Sequence, residues 1–182
     1  MKVGLLLAAG RSRRFGDADK LTAPFKGRVL VAHAASVLKA LPLDHLIAVS
    51  ATDDVDRCLA GFSIIRNPAP EEGQGRSISL GAQAALEMRA ERLIICLGDM
   101  PFVPVEHAKA VLERCTDDQA SASSDGRVIL PPACFPAGWL NQLSNLTGDA
   151  GARSLLIHLP KAAVVSADAR ALTDIDTPAD LQ

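Results

Sequence analysis

The chemically capable residues begin at the end of an apolar run. Leu5-Leu6-Leu7-Ala8-Ala9-Gly10-Arg11-Ser12-Arg13-Arg14-Phe15-Gly16 leads on to Lys20. Small residues let the backbone approach a ligand and point several N–H groups at one anion. Arg and Lys in the same loop bring the positive charge that a polyphosphate requires. The pattern is neither G-x-x-x-x-G-K-[ST] nor G-x-G-x-x-G, which sets aside a P-loop and a dinucleotide-binding oxidoreductase.

Three further polar clusters follow. Gly98-Asp99-Met100-Pro101 comes directly after the apolar run 93–97, where a carboxylate is well placed to hold a hard cation such as Mg²⁺. Asp174-Ile175-Asp176-Thr177-Pro178 adds a pair of carboxylates at a turn, and residues 67–79 contain Gly73-Gln74-Gly75-Arg76-Ser77. Gly and Ser there are suited to wrapping a flat base with backbone groups and hydroxyls. Taken singly, the Asp residues are ordinary turn and cap residues. Two carboxylate sites from distant parts of the chain plus one basic Gly loop form a specific combination. One or two protein carboxylates are what Mg²⁺ on phosphates usually needs.

These groups need a frame. Short apolar runs alternate with amphipathic stretches, the signature of β-α-β units and a mainly parallel sheet. Strands are expected at 3–7, 46–49, 63–66, 93–97 and 163–165, and helices at 30–41, 53–60, 77–90, 104–114, 138–145 and 152–159. Residues 10–26 and 68–75 read as loops. Segments 119–123 and 128–130 read as a hairpin or as two separate short strands. Thr177 is expected to N-cap a last helix whose first residue is Pro178. In open α/β sheets ligands bind at the carboxyl ends of strands, where the polar clusters fall. No repeat or linker interrupts the 182 residues, so residues 1–182 read as one domain with a three-layer α-β-α, Rossmann-like architecture.

The bulk numbers narrow the partners. A net charge of -2 supplies no global basic field for nucleic acid or a membrane surface. Aromatic residues make up 3%, with no Tyr, which removes the stacking platforms of single-strand binders and leaves the core to aliphatic side chains. Cys58, Cys96, Cys115 and Cys134 form no C-x-x-C pair, so reduced thiols and a cytoplasmic location are expected. No leader pattern is read at the N-terminus.

Together these motifs resemble the MobA-like NTP transferase family, which includes the molybdenum cofactor cytidylyl- and guanylyltransferases. The resemblance rests on L-A-A-G-R-S-R-R-F-G with Lys20, E-G-Q-G-R-S-I-S-L-G at 72–81 and G-D-M-P at 98–101. T-G-D-A-G-A-R at 147–153 and D-I-D-T-P-A-D at 174–180 extend it over essentially the whole chain. The last two elements resemble the cytidylyltransferase branch, as does Ala9, where guanylyltransferases usually carry a second Gly. The resemblance implies transfer of CMP from CTP to a phosphorylated acceptor such as molybdopterin, with release of pyrophosphate, for delivery to a molybdoenzyme. It implies that Leu7, Ala8, Ala9, Gly10, Asn67, Gly75 and Ser77 bind the nucleotide. Arg14 and Lys20 are implied as the triphosphate clamp. Asp99 joins them in catalysis and shares Mg²⁺ with Asp176, or with Asp174 in its place. Asp149 and Arg153 are implied on the acceptor side. The alternatives are a GTP-dependent enzyme, a sugar- or alditol-phosphate nucleotidyltransferase, and a non-catalytic cofactor-binding accessory protein. One departure stands out: Ile129-Leu130-Pro131-Pro132-Ala133-Cys134-Phe135 lies where the branch typically carries a Gly-x-Pro, and only the final Pro remains.

Overall fold

The computed structural model describes residues 1–10, 19–149 and 151–181. Its strands are β1 (Lys2–Ala8), β2 (Pro24–Phe25), β3 (Arg28–Val29), β4 (His45–Ser50), β5 (Ser63–Arg66), β6 (Arg92–Leu97), β7 (Ser121–Ser124), β8 (Ile129–Pro136) and β9 (Val164–Ser166). The helices are α1 (Leu30–Ala40), α2 (Asp53–Arg57), α3 (Gln74–Glu87), α4 (Val105–Arg114), α5 (Leu140–Leu143) and α6 (Arg153–Leu156). Seven strands form the main sheet in the order β5-β4-β1-β6-β8-β7-β9, and β2 and β3 form a small separate ladder. Pairing is parallel from β5 through β6, antiparallel around β8, and parallel again between β7 and β9.

Side chains alternate across the central strands because a strand has a period of two. Leu6 and Ala8 of β1 enter one core with α1, α2 and α4, whereas Val3, Leu5 and Leu7 enter the other with α3, α5 and α6. Helices thus cover both faces, the three layers expected from the β-α-β pattern. Burial on both sides explains why β1 and β6 are apolar without alternation. Gly81 of α3 sits directly on Leu5, and a Cβ there would strike its side chain. That Gly lets α3 lie close against β1.

The structure corrects several boundaries. The expected loop 10–26 contains a 3₁₀ turn, Lys20–Thr22, capped by the Asp19 carboxylate on the Leu21 N–H at 3.0 Å. It then enters the β2–β3 ladder, whose turn residues Lys26 and Gly27 both have positive φ, as a two-residue hairpin requires. Helix α3 starts at Gln74 rather than 77, and the expected helices 138–145 and 152–159 shrink to the single turns of α5 and α6. Thr177 is not the cap acceptor. Asp180 reaches back instead, accepting from the N–H of Thr177 at 2.7 Å and its hydroxyl at 2.9 Å.

The largest difference is β8, which runs to Pro136 through two prolines. β7 and β8 form a hairpin, but their register breaks: Ser123 opposes Leu130, while Ala122 opposes Ala133. Pro131 and Pro132 fall in the gap between those pairs, where no ladder N–H is asked of them. Ser123 fastens the irregular stretch by donating its hydroxyl to the Pro132 carbonyl at 2.8 Å. That commits the Ser123 hydrogen, so the His107 Nε2 on α4, 2.8 Å away, is the donor to its oxygen.

Burial pushes the pKa of His107 below its ordinary 6.5, so the fold prefers the neutral ring. The stability gained from neutral His107 is full above that ordinary value and is lost as pH falls through the lowered native one. His107→Gln keeps a donor but cannot titrate. Between about pH 7.5 and about pH 5.5 the native protein is expected to lose more of its thermal midpoint than His107→Gln does. Equal losses in parallel melts would acquit His107.

Candidate active site

Parallel pairing sets Leu7 of β1 beside Leu97 of β6, and the Gly98 N–H donates to the Leu7 carbonyl at 2.9 Å. Ala9-Gly10 and Gly98-Asp99 therefore leave the sheet as neighbours. From these ends the chain runs to opposite edges, β1 toward β4 and β6 toward β7, which opens a crevice between them. A pocket of about 290 Å³ occupies it. Leu7, Ala9, Gly10, Lys20 and Asp99 line one wall, and Gly73, Gln74, Ser77 and Asp149 the other. The amino end of α3 borders this second wall, so its partial positive charge favours an anion there.

Beside the pocket, Asp99 from its lining and the exposed Asp174 and Asp176 offer carboxylate oxygens within 4.8 Å of one another. The Ile175 N–H donates to the Asp99 carbonyl at 2.9 Å, which draws the 174–176 turn against the end of β6. Lys20 enters the same cluster. Its Nζ lies 2.7 Å from Asp99 Oδ2, 2.8 Å from the Ile175 carbonyl and 3.4 Å from Asp176 Oδ1. Only 8% of Lys20 is exposed, so its charge is held by these acceptors more than by water. Burial by itself would lower the Lys20 pKa; the adjoining carboxylates, Asp99 foremost, outweigh it and raise the value above 10.5. The Asp174 pKa is raised by burial, then by the like charges of Asp176 and Asp99. The set is hard, anionic and all-oxygen, which fits a small divalent cation.

The sequence profile of the MobA-like NTP transferase domain matches residues 4–164. The chain belongs to the MobA-like NTP transferase family. It is similar to the purine catabolism protein PucB of Bacillus subtilis, with 33% identity over 97% of this chain and 92% of that one. Identity is 30% with a probable molybdenum cofactor guanylyltransferase of Mycobacterium tuberculosis, over 98% of this chain and 90% of that one. In architecture it is similar to a nucleotidyl transferase from Methanothermobacter, with a TM-score of 0.84 at 21% identity, covering 99% of this chain and 94% of that one. This chain is a nucleotidyltransferase.

Several residues singled out in this MobA-like transferase lie on the pocket itself: Leu7, Ala9, Gly10, Lys20, Ser77, Asp99 and Asp149. Ala8 faces the opposite core. Asn67 is buried beneath the wall, where its Nδ2 donates to Ser77 Oγ at 3.0 Å and its Oδ1 accepts from the Ala69 N–H at 3.0 Å. Because Ser77 Oγ accepts from Asn67, its own hydrogen is available to the pocket. Arg14 lies outside the described residues. Asp176 sits in the carboxylate cluster together with Asp174, so the structure brings three carboxylates together where two were counted.

Arg153 lines a second pocket of about 260 Å³, which shares Leu7, Gln74, Leu97 and Asp149 with the first. Its walls are chiefly apolar, with Ile78, Ile95, Leu130, Pro131, Phe135 and Leu156 among them. The sequence reading missed this pocket, because β8 was cut short at residue 130. The inward parity of Ala133 and Phe135 was the available signal.

Gly75 works from behind. Its N–H donates to the Gly148 carbonyl at 2.8 Å, and a Cβ would lie 2.7 Å from the Thr147 carbonyl carbon and oxygen. Those are backbone atoms and cannot swing aside. Gly75→Ala is therefore expected to fold but to push 147–149 off α3, carrying Asp149 out of place. The kcat/KM for nucleotide, read by pyrophosphate release, should fall by about 10²-fold. An unchanged value would show that this close approach does not shape the pocket.

Proposed function

We propose that this transferase moves CMP from CTP to a phosphorylated acceptor, molybdopterin, and releases pyrophosphate. The observation that carries the reading is the pairing of two pockets across Leu7, Gln74 and Asp149, one polar beside the carboxylates and one apolar. The polar pocket suits the nucleotide. Ala9 puts a methyl group on its wall and so narrows the room for a base, and Ser77 offers a hydroxyl donor to a base carbonyl. The apolar pocket suits the ring system of the acceptor, with Arg153 at its wall for the acceptor's phosphate.

In this reading an acceptor phosphate oxygen attacks the α-phosphorus as the bond to the β-phosphate oxygen breaks. The acceptor phosphate is already ionised near neutral pH, so no protein base is needed. What the chain contributes is in-line positioning and charge neutralisation. Asp99, Asp174 and Asp176 would hold Mg²⁺, which when bound supplies Lewis-acid stabilisation of phosphate oxygens. Lys20 and Arg14 offset the charge on the departing pyrophosphate. The four cysteines are free thiols, in keeping with a cytoplasmic enzyme. Among the described residues no helix is long and apolar enough to cross a membrane.

A guanylyl transfer is the second reading, favoured by the similarity to the mycobacterial guanylyltransferase. Incubating the protein with each Mg²⁺–NTP and molybdopterin, with product followed by mass, separates the two. CTP is expected to be used at least about tenfold faster than GTP, and Ala9→Gly to erode that ratio by about tenfold, the usual worth of a single methyl group in a pocket. Faster GTP use by the native chain would overturn the cytidylyl reading. Asp99→Ala is expected to abolish metal-dependent pyrophosphate release. Lys20→Ala and Arg14→Ala should each lower turnover by about 10²–10³ with the fold intact. Native turnover in any of these variants removes that residue from the mechanism.

A further inference from the structure

We propose that Lys20 is a resident cation in the carboxylate cluster, so that the divalent ion enters only together with the nucleotide's phosphates, which draw the ammonium off. The proposal rests on the metal–nucleotide reading above and adds an order of assembly to it.

The ammonium sits where a hard cation would. Two carboxylate oxygens and one backbone carbonyl at 2.7, 3.4 and 2.8 Å are the kinds of ligand that such an ion collects. A divalent ion on Asp99 and Asp176 would meet a buried positive charge already bonded to the same side chains. The two cations repel, and burial of Lys20 leaves little water to screen them. A bare metal ion must therefore either share the carboxylates with the ammonium or displace it.

A triphosphate changes the balance, because it supplies the acceptors that Lys20 would give up. Lys20 and Asp99 line one pocket, so phosphate oxygens seated there are within reach of the side chain. The Lys20 backbone is fixed by the 3₁₀ turn Lys20–Thr22 and its Asp19 cap, so only the side chain need swing. Meanwhile, an occupied cluster suits the empty enzyme. Without a cation three carboxylates would crowd together, and the 174–176 turn would be repelled from the end of β6. The one ammonium keeps the site assembled and keeps stray metal out. Metal and nucleotide affinities are then coupled, and by linkage each raises the other equally.

The test reads Mn²⁺ binding, not turnover. Free Mn²⁺ is followed by electron paramagnetic resonance in titrations of native protein, Lys20→Met and Lys20→Arg, with and without the α,β-methylene analogue of CTP. Thermal melts establish that each variant is folded, and Lys20→Gln replaces Lys20→Met should the latter fail to fold. Without nucleotide, Lys20→Met is expected to bind Mn²⁺ at least tenfold more tightly than native protein, and Lys20→Arg to bind as weakly as native. The analogue should tighten Mn²⁺ binding by a larger factor in native protein than in Lys20→Met. Adding Asp99→Asn to Lys20→Met should abolish the gain, which locates the ion. Equal nucleotide-free affinity in native and Lys20→Met protein overturns the proposal, as does a gain that survives Asp99→Asn. Failure of every form to take up Mn²⁺ even with the analogue overturns the metal reading itself, and the proposal with it.

Discussion

The ammonium of Lys20 is the point on which the site is assembled. From its own 3₁₀ turn it reaches two distant parts of the chain, the end of β6 through Asp99 and the 174–176 turn through Ile175 and Asp176. Separations of 79 and 155 residues in sequence are closed within one cluster. A buried charge is costly unless it is paired and hydrogen-bonded. Here the pairing offsets the repulsion between the neighbouring carboxylates of Asp99 and Asp176. The sheet beneath provides the rigidity: β1 and β6 are bonded in parallel register up to Leu7 and Leu97, so the groups leaving them cannot drift apart.

A second constraint acts on the far wall, and it is steric. Gly73, at φ 94°, and Gly75 let α3 begin against the backbone of 147–149, with a Cβ at either position colliding with that segment. The Gly75 N–H spends its bond on Gly148 rather than on ligand. Both glycines of this wall serve the meeting of two protein segments; Gly75 does not line the pocket, whereas Gly73, Gln74, Ser77 and Asp149 do. Asn67 is placed similarly, one layer behind Ser77. A polar side chain that is 1% exposed must have partners, and it obtains them by orienting the hydroxyl that faces the pocket.

How much of this was legible in the sequence follows from the range of the interactions. The strands at 3–7 and 93–97 could be read because burial on both faces makes them continuously apolar, a local signal. The clusters beyond them could be read because strand ends are where ligands sit in such sheets. β8 was half hidden, since Pro131 and Pro132 look like a stop until the register break with β7 is known, and that break depends on pairing. The short α5 and α6 were overdrawn because apolar spacing records which residues are buried, not how many turns the helix completes. The third carboxylate and the clasp of Lys20 are contacts between distant segments. Asp174 and Asp176 were visible as a pair, but the Ile175–Asp99 backbone bond and the Lys20 bridge that set their turn beside Asp99 are long-range.

The two pockets rest on different but overlapping parts of the architecture. The polar pocket is built on the parallel half of the sheet, at the ends of β1 and β6 and the start of α3, where strand ends and a helix dipole naturally gather charge. The apolar one leans on the antiparallel side, on β8 and the single-turn α6. Leu7 and Asp149 belong to both, so the two pockets adjoin. Short helices and an interrupted strand are cheaper to remodel than a continuous parallel ladder, because fewer backbone bonds depend on them. The polar pocket is thereby tied to the elements that hold the fold together, and the apolar one in part to elements with fewer backbone bonds. Pro131, in the stretch where this chain departs from the Gly-x-Pro pattern, lies on the wall of the apolar pocket.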